Sequence, residues 1–305
     1  MGITAIYKAM ADETRLRILH ALSLSSLNVQ ELQKIVGVPQ SNVSHHLKTL
    51  ERAGLVDAKS QGTWRFYSLS RGDNVPAKLG ANFVEIARTD LNGFRSTIDQ
   101  DTAMVNELIE HRQAESRAYF DKVAGDWRQI RESIADSKEY LADIKDAIPQ
   151  DAALLELGCG SGIMISQLMP RSGNTIGVDY SPAMLSEARE NLAKFKVDLR
   201  LGYLEHLPLA DGSVDVTLCH MVLHHLQDPS KALSEAARVI KKSGKMIIVD
   251  LVQHSDERLR EVFAHRWLGF ETKELSRVAE QAGFNDCKVI LLGEKKNVFM
   301  LIAKK

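Results

Sequence analysis

Glu156-Leu157-Gly158-Cys159-Gly160-Ser161-Gly162 is the stretch that decides how this chain folds. An apolar run, Ala153 to Leu157, precedes the glycines and an amphipathic segment, Ile163 to Met169, follows them. A strand, a glycine turn and a helix carry that signature. Seventeen residues past Gly162, Asp179 closes a second apolar run, Thr175 to Val178. In a parallel sheet this spacing sets the carboxylate at the tip of the neighbouring strand, beside the glycine turn, where a ribose can offer it two hydroxyls. The stretch reads as a nucleoside-binding crevice.

The nature of the nucleoside follows from what the loop lacks. A dinucleotide loop reads Gly-x-Gly-x-x-Gly, whereas Ile163 holds the sixth place here, and Glu156 stands where a pyrophosphate would be repelled. A ligand with a ribose, an amino group and no phosphate fits better, as in S-adenosylmethionine (SAM) or S-adenosylhomocysteine (SAH). From about Ala152 to the C-terminus these residues resemble class I SAM-dependent methyltransferases. The resemblance implies ligand contacts from Glu156, Gly158, Cys159, Gly160, Gly162, Asp179, Tyr180, Met184, Tyr203, Leu204 and His220. Family members place an acidic residue and a small one after the position of Gly202, to meet the adenine. This chain has Tyr203-Leu204 instead, so the acidic contact is missing and Tyr203 is left to stack on the base or hydrogen-bond to it.

Beyond Gly162 helical and strand patterns alternate: Pro182 to Phe195 helical, Val197 to Leu201 and Val214 to His220 as strands, Pro229 to Lys241 helical, Gly244 to Val252 as a strand. Such alternation predicts an α/β, Rossmann-like parallel sheet covered on both faces, with ligands at the carboxyl ends of its strands. Lys288 to Gly293 and Val298 to Ala303, joined through Glu294 to Asn297, form a hairpin, and the resemblance implies an antiparallel last strand. Glu205-His206-Leu207-Pro208-Leu209, Asp211-Gly212-Ser213-Val214-Asp215 and Leu223-His224-His225-Leu226 also match the family. His224 and His225 lie where a substrate-side base can sit, or they shape the pocket by hydrogen bonding. Methyl transfer from a sulfonium needs positioning more than a strong acid or base, so no catalytic residue is assigned from sequence. There is no cysteine set of the kind an arsenite methyltransferase needs, and no Asn-Pro-Pro-Tyr or Asp-Pro-Pro-Tyr motif.

The N-terminal quarter has a motif of its own. Asp12 caps a helix with Leu at helical spacing, and Asn28-Val29-Gln30-Glu31 is a capping box opening a short helix that stops at Gly37. From Pro39 a second helix buries Val43, Leu47 and Leu50 and shows Gln40, Ser41, Asn42, Ser44, His45 and Lys48 on its other faces. These form a helix-turn-helix. Amide, hydroxyl and imidazole groups near a helix start can read base edges in a major groove, while Lys48 and Arg52 suit phosphates. Two strand-like runs, Leu55 to Lys59 and Thr63 to Leu69, flank Gln61-Gly62 as a wing that carries Arg65. From Met10-Ala11-Asp12-Glu13-Thr14-Arg15-Leu16 through Ser44-His45-His46-Leu47 to Arg65-Phe66-Tyr67 the chain resembles ArsR-type winged-helix repressors, over about Thr4 to Leu69. Metal-sensing members carry a Cys-x-Cys pair at the start of the helix that begins here at Asn28-Val29-Gln30-Glu31-Leu32, and this chain has none. Asp99, Asp101 and His111 are read as a solvated helix face rather than as the family's other ligand set, so no metal site is expected.

Composition sets the frame. With 305 residues, 44% hydrophobic and 26% charged, the chain has the length for two domains and the balance of a soluble globular protein. The net charge of −1 hides an asymmetry: residues 1–71 hold nine Lys or Arg against five Asp or Glu, a basic end suited to nucleic acid. Cys159, Cys219 and Cys287 are far apart and make neither a zinc motif nor a disulfide framework. No apolar run reaches the roughly 20 residues that span a bilayer, so no membrane partner is expected and a cytoplasmic location is.

Residues 76 to about 148 read as helical, with apolar spacing at Leu79, Phe83, Ile86 and at Val105, Leu108, Ile109. A homodimer through this stretch would match a palindromic operator. Ala118 to Trp127 resembles a segment that covers the ligand in small-molecule methyltransferases, or it is an amphipathic connector with Phe120, Val123 and Trp127 as core. The expected organisation is a winged helix-turn-helix over 1–74, a helical dimerisation region over 75–150 and a SAM- or SAH-binding domain over 151–305. The whole chain resembles ArsR-type regulators fused to a SAM-binding domain, including those that respond to SAH. That implies a transcriptional regulator on double-stranded operator DNA that senses SAM or SAH. The alternative is a working small-molecule methyltransferase that controls its own operon.

Overall fold

A computed structural model describes residues 2–61, 64–72, 74–87, 94–126, 137–171 and 173–305. The chain divides into two compact units, Met1–Ala114 and Glu115–Lys305.

The first unit opens with α1 (Ile3–Met10) and α2 (Glu13–Leu24), whose N-cap Asp12 accepts the Arg15 N–H at 2.9 Å. Strand β1 (Leu27–Asn28) leads into α3 (Val29–Val36). Both arms of the Asn28/Glu31 capping box are formed, and Gly37 ends the helix at φ 70°, a left-handed backbone that glycine adopts without strain. Helix α4 (Gln40–Arg52) buries Val43, Leu47 and Leu50 as its spacing predicts. Strands β2 (Val56–Gln61) and β3 (Trp64–Leu69) pair antiparallel from Val56↔Leu69 to Gln61↔Trp64, and the tip residues Gly62 and Thr63 lie outside the described residues. The sheet has a third strand that sequence reading missed, since β1 pairs with β3 through Leu27↔Tyr67. Two residues are too few to show alternation. Helices α5 (Val75–Ala87) and α6 (Phe94–Val123) follow, and Val105 of α6 is fully buried in the same core as Leu19, Leu32, Leu47 and Tyr67.

The second unit contains a seven-stranded sheet in the order β6-β5-β4-β7-β8-β10-β9. Its strands are β4 (Leu154–Leu157), β5 (Thr175–Asp179), β6 (Asp198–Leu201), β7 (Val214–His220), β8 (Ile240–Leu251), β9 (Asn285–Leu292) and β10 (Val298–Lys304). The first five run parallel, while β10 is antiparallel to both β8 and β9, as expected of the last strand. From β4 the chain winds outward through β5 to β6, then returns to β7 on the other flank. The reversal opens a crevice above the carboxyl end of β4, where ligands of open α/β sheets bind. Helices α7 (Leu141–Ala147), α8 (Ile163–Leu168), α9 (Pro182–Asn191), α10 (Pro229–Val239), α11 (Arg258–Phe263) and α12 (Thr272–Gln281) complete the unit.

Two boundaries differ from the expected ones for local reasons. Helix α9 stops at Asn191, four residues short of Phe195, because Leu192 leaves helical geometry and is buried with Ile165, Leu185 and Ala188. Helix α10 yields at Ile240, which pairs with Val214 and so lengthens β8 toward its N-terminal end. Tertiary pairing overrides a helical pattern that continues in the sequence.

Candidate functional site

The glycine loop is shaped by backbone that side chains resist. Gly158, Gly160 and Gly162 have φ of 68°, 51° and 73°. A Cβ on Gly158 would stand 2.7 Å from both Val222 methyls, and one on Gly162 2.7 Å from a Leu192 methyl. The Gly158 and Cys159 N–H groups both donate to the Val178 carbonyl, at 2.8 and 3.0 Å, which ties the loop to β5. Asp179, at the end of β5, then accepts the Gly160 N–H on one oxygen at 2.8 Å and the Ser181 N–H on the other at 2.9 Å. Burial raises the pKa of this carboxyl, and the main-chain donors oppose the rise. An ionised carboxylate has about four acceptor positions, and the main-chain N–H groups of Gly160, Tyr180 and Ser181 do not fill them all. Asp179 is thus held by the loop it was expected to stand beside, with capacity left for hydroxyls.

Other expected contacts fall in different surroundings. Glu156 is buried in the centre of the sheet, opposite Gly177 and Leu218. Cys159 is buried, and burial pushes its thiol well up, so it stays protonated. The Tyr180 hydroxyl bonds the Ser116 hydroxyl at 2.8 Å, and its ring stacks on exposed Tyr203 at 5.9 Å between centroids. Leu204 packs in the main core rather than beside these rings. Met184 is buried with Phe120 and Ala124. The Ser181 hydroxyl donates to Asp121 at 2.5 Å while accepting the Met184 N–H at 3.0 Å. The last turn of α6 and Ala124–Asp126 are therefore fastened over α9; Trp127 lies outside the described residues. His220, buried at the end of β7, meets the Tyr140 hydroxyl at 3.2 Å.

A second cluster lies past β7. His224 and His225 occupy the short 3-10 turn Leu223–His225, and His224 Nδ1 stands 2.6 Å from Asp250 Oδ1 on β8. His225 Nδ1 meets the Ala264 carbonyl at 3.1 Å. His265 stacks on His224 with centroids 4.0 Å apart, and Phe120 meets His225 edge-on at 4.9 Å. Burial drives His225 and His265 below the ordinary imidazole range, and the neighbouring imidazoles add to it. The sequence pointed to His224 and His225, not to Asp250 or His265. Asp250 had a readable signal, an acid inside the apolar run Met246 to Leu251.

In the first unit Gln40, Ser41, Asn42, Ser44, His45 and Lys48 are all exposed along α4, on the faces that its buried stripe leaves open. Arg65 on β3 lies 2.6 Å from Glu51 of α4 and 5.5 Å above the Tyr67 ring. One correction concerns the α6 face. Asp101 is 1% exposed and takes a bidentate pair of bonds from Arg17 at 2.8 and 2.7 Å, so it is a buried ion-pair partner and not a solvated residue. Asp99 and His111 are exposed.

Residues 12–58 match the family described as bacterial regulatory protein, arsR family, and residues 155–248 match the methyltransferase domain family. An uncharacterized 37.1 kDa protein in transposon TN4556 of Streptomyces fradiae is 31% identical over 195 residues, 58% of this chain and 54% of that protein. An arsenite methyltransferase of Halobacterium salinarum is 36% identical over 113 residues, 35% of this chain and 29% of that enzyme. The chain thus spans about half the length of these relatives or less. Among solved structures, a SAM-dependent methyltransferase of Thermotoga maritima, a possible histamine N-methyltransferase, shares the fold at a TM-score of 0.51 and 24% identity, over 61% of this chain and 98% of that one. The chain joins an ArsR-family helix-turn-helix, over residues 12–58, to a domain of the class I SAM-dependent methyltransferase fold.

Proposed function

We propose that this chain is a transcriptional regulator that grips double-stranded operator DNA as a homodimer and senses SAM or SAH in its methyltransferase-like half. The observation that carries the reading is Asp179, locked onto Gly160 in a loop where Gly158 and Gly162 leave no room for a Cβ, in a chain whose α4 leaves seven polar residues exposed. Gln40, Ser41, Asn42, Ser44 and His45 would read base edges, Lys48 and Arg65 would meet phosphates, and Glu51 would release Arg65 to do so. Val75 and Ile86, near the two ends of α5 and both more than half exposed, support a second copy as partner through this stretch. In this reading 1–74 binds DNA, 75–150 dimerises, 151–305 binds ligand, and the protein works in the cytoplasm without a membrane. Linkage requires only that the ligand favour one of the DNA-bound and DNA-free states, by about 1–3 kcal/mol in a typical switch. Footprinting on the chain's own promoter region with SAM, SAH or neither tests it, and a footprint indifferent to both ligands overturns it.

The His224–Asp250 pair favours a second reading, catalysis on a small molecule. SAM would supply an electrophilic methyl group. His224, oriented through Nδ1 by Asp250, would present Nε2 to take a proton from an acceptor held near the carboxyl end of β7. Transfer of labelled methyl to a cell extract separates the two readings, since a pure sensor leaves SAM intact.

A further inference from the structure

We propose that His224, His225 and His265 form a binding site for a divalent transition-metal ion of the zinc class, an inference that goes beyond the regulatory reading. One ring nitrogen from each residue lies within 4.8 Å of the others. A tetrahedral zinc with Zn–N about 2.1 Å holds its nitrogens roughly 3.4 Å apart, so the nitrogens need to close by at most about 1.4 Å while the His265 ring turns out of its stack on His224.

The surroundings are those of a ligand set. Asp250 takes the Nδ1 proton of His224 and the Ala264 carbonyl takes that of His225. With Nδ1 so engaged, Nε2 is the nitrogen each ring has left to offer a metal, and outer hydrogen bonds of this kind hold ligand rings in place. His265 is 1% exposed, and neither of its ring nitrogens has a hydrogen-bond partner among the described residues. Burying an imidazole in that way is costly unless something meets it.

His265 is also delivered on purpose-built backbone. Ala264 is left-handed at φ 55°, a conformation that costs a residue with a Cβ on the order of 1 kcal/mol. It turns its carbonyl to His225 and hands the chain to His265. The Arg266 and Trp267 N–H groups then both donate to the His224 carbonyl at 2.9 Å, and the Trp267 indole donates to the Leu226 carbonyl at 2.7 Å. Four hydrogen bonds therefore clip the two segments that supply the three rings. Neutral nitrogen ligands select zinc, cobalt or nickel over magnesium and calcium, which prefer oxygen. Three protein ligands leave a fourth position for water or for an exogenous oxygen, nitrogen or sulfur donor.

The test uses the full chain, stripped with a chelator and titrated separately with Zn2+ and Co2+. The expected result is about one tightly held equivalent of Zn2+ after desalting, and intense visible bands of four-coordinate Co2+ that Zn2+ abolishes. Asp250→Asn should weaken binding about 10- to 100-fold and His265→Gln by at least as much, whereas His111→Gln, at an exposed histidine, should change nothing. Retention of no metal by the wild-type chain overturns the proposal, as do a spectrum of six-coordinate Co2+ alone and full binding by a folded His265→Gln protein. If His265→Gln does not fold, His225→Gln takes its place and the wild-type Co2+ spectrum decides. These readouts need neither DNA nor SAM, so the proposal fails or stands separately from the regulatory reading.

Discussion

Helix α4 and the glycine loop both carry the polar groups proposed to meet a ligand, and they hold them in opposite states. The groups on α4 are exposed, and their removal costs the protein little. Asp179 is buried and bonded to the partly exposed glycine loop, which is itself tied to β5, so the surface proposed to meet the ligand also helps hold the sheet together. A polyanion in water can be met by charges that find their places on contact, at an affinity that salt erodes. A small nucleoside has to be met by a crevice ordered in advance. Function should therefore be separable from stability on α4 and inseparable from it in the crevice.

Gly158→Val puts the largest strain on that contrast. With φ at 68° and Val222 methyls 2.7 Å from the new Cβ, it should remove SAH binding in calorimetry and lower stability by about 2–4 kcal/mol in denaturant melts. Asp179→Asn comes next. It turns an amide nitrogen toward one of two main-chain N–H groups, costing about 1–3 kcal/mol of stability, while SAH affinity falls roughly 10- to 30-fold. Lys48→Ala should weaken operator binding several-fold and reduce the salt slope by about one, with stability unchanged to within about 0.5 kcal/mol. A crevice variant with an unaltered melt, or an α4 variant with a lowered one, breaks the contrast.

The smallest effect is one of pH. Burial holds His225 and His265 below the ordinary imidazole value of 6.5, so the unfolded chain takes up protons that the folded chain refuses. The stability these rings contribute is complete above about pH 6.5 and is lost progressively as the pH falls below it. The thermal midpoint should drop between pH 7.5 and 5.5, and less steeply in His265→Gln; equal slopes would count against the pair as the cause.

The two C-terminal sites also differ in how far sequence alone reveals them. The glycine loop is local: three glycines at alternate positions, an apolar run on one side and Asp179 a fixed distance ahead specify the turn, the strand and the carboxylate. Tyr203 and Leu204 show the limit of that reading, since neighbours in sequence end up on opposite sides, one exposed and one in the core. The histidine cluster is non-local. His265 lies 40 residues past His225 and reaches it through the left-handed Ala264 and main-chain bonds that no side-chain pattern encodes. Asp101 was misread for the same reason: its partner Arg17 is 84 residues away.

The position of β10 bears on how the protein is made. It lies between β8 and β9 and carries the buried Phe299 and Leu301, yet it follows every other strand of its sheet in the chain. On the ribosome the N-terminal unit, with its core drawn mainly from nearby segments, can close early. The larger sheet must wait with two strand edges open until Val298 to Lys304 emerges. A nonsense mutation just ahead of Val298 would thus take out an interior rung of the sheet. The product would keep its helix-turn-helix and lose the integrity of its larger sheet.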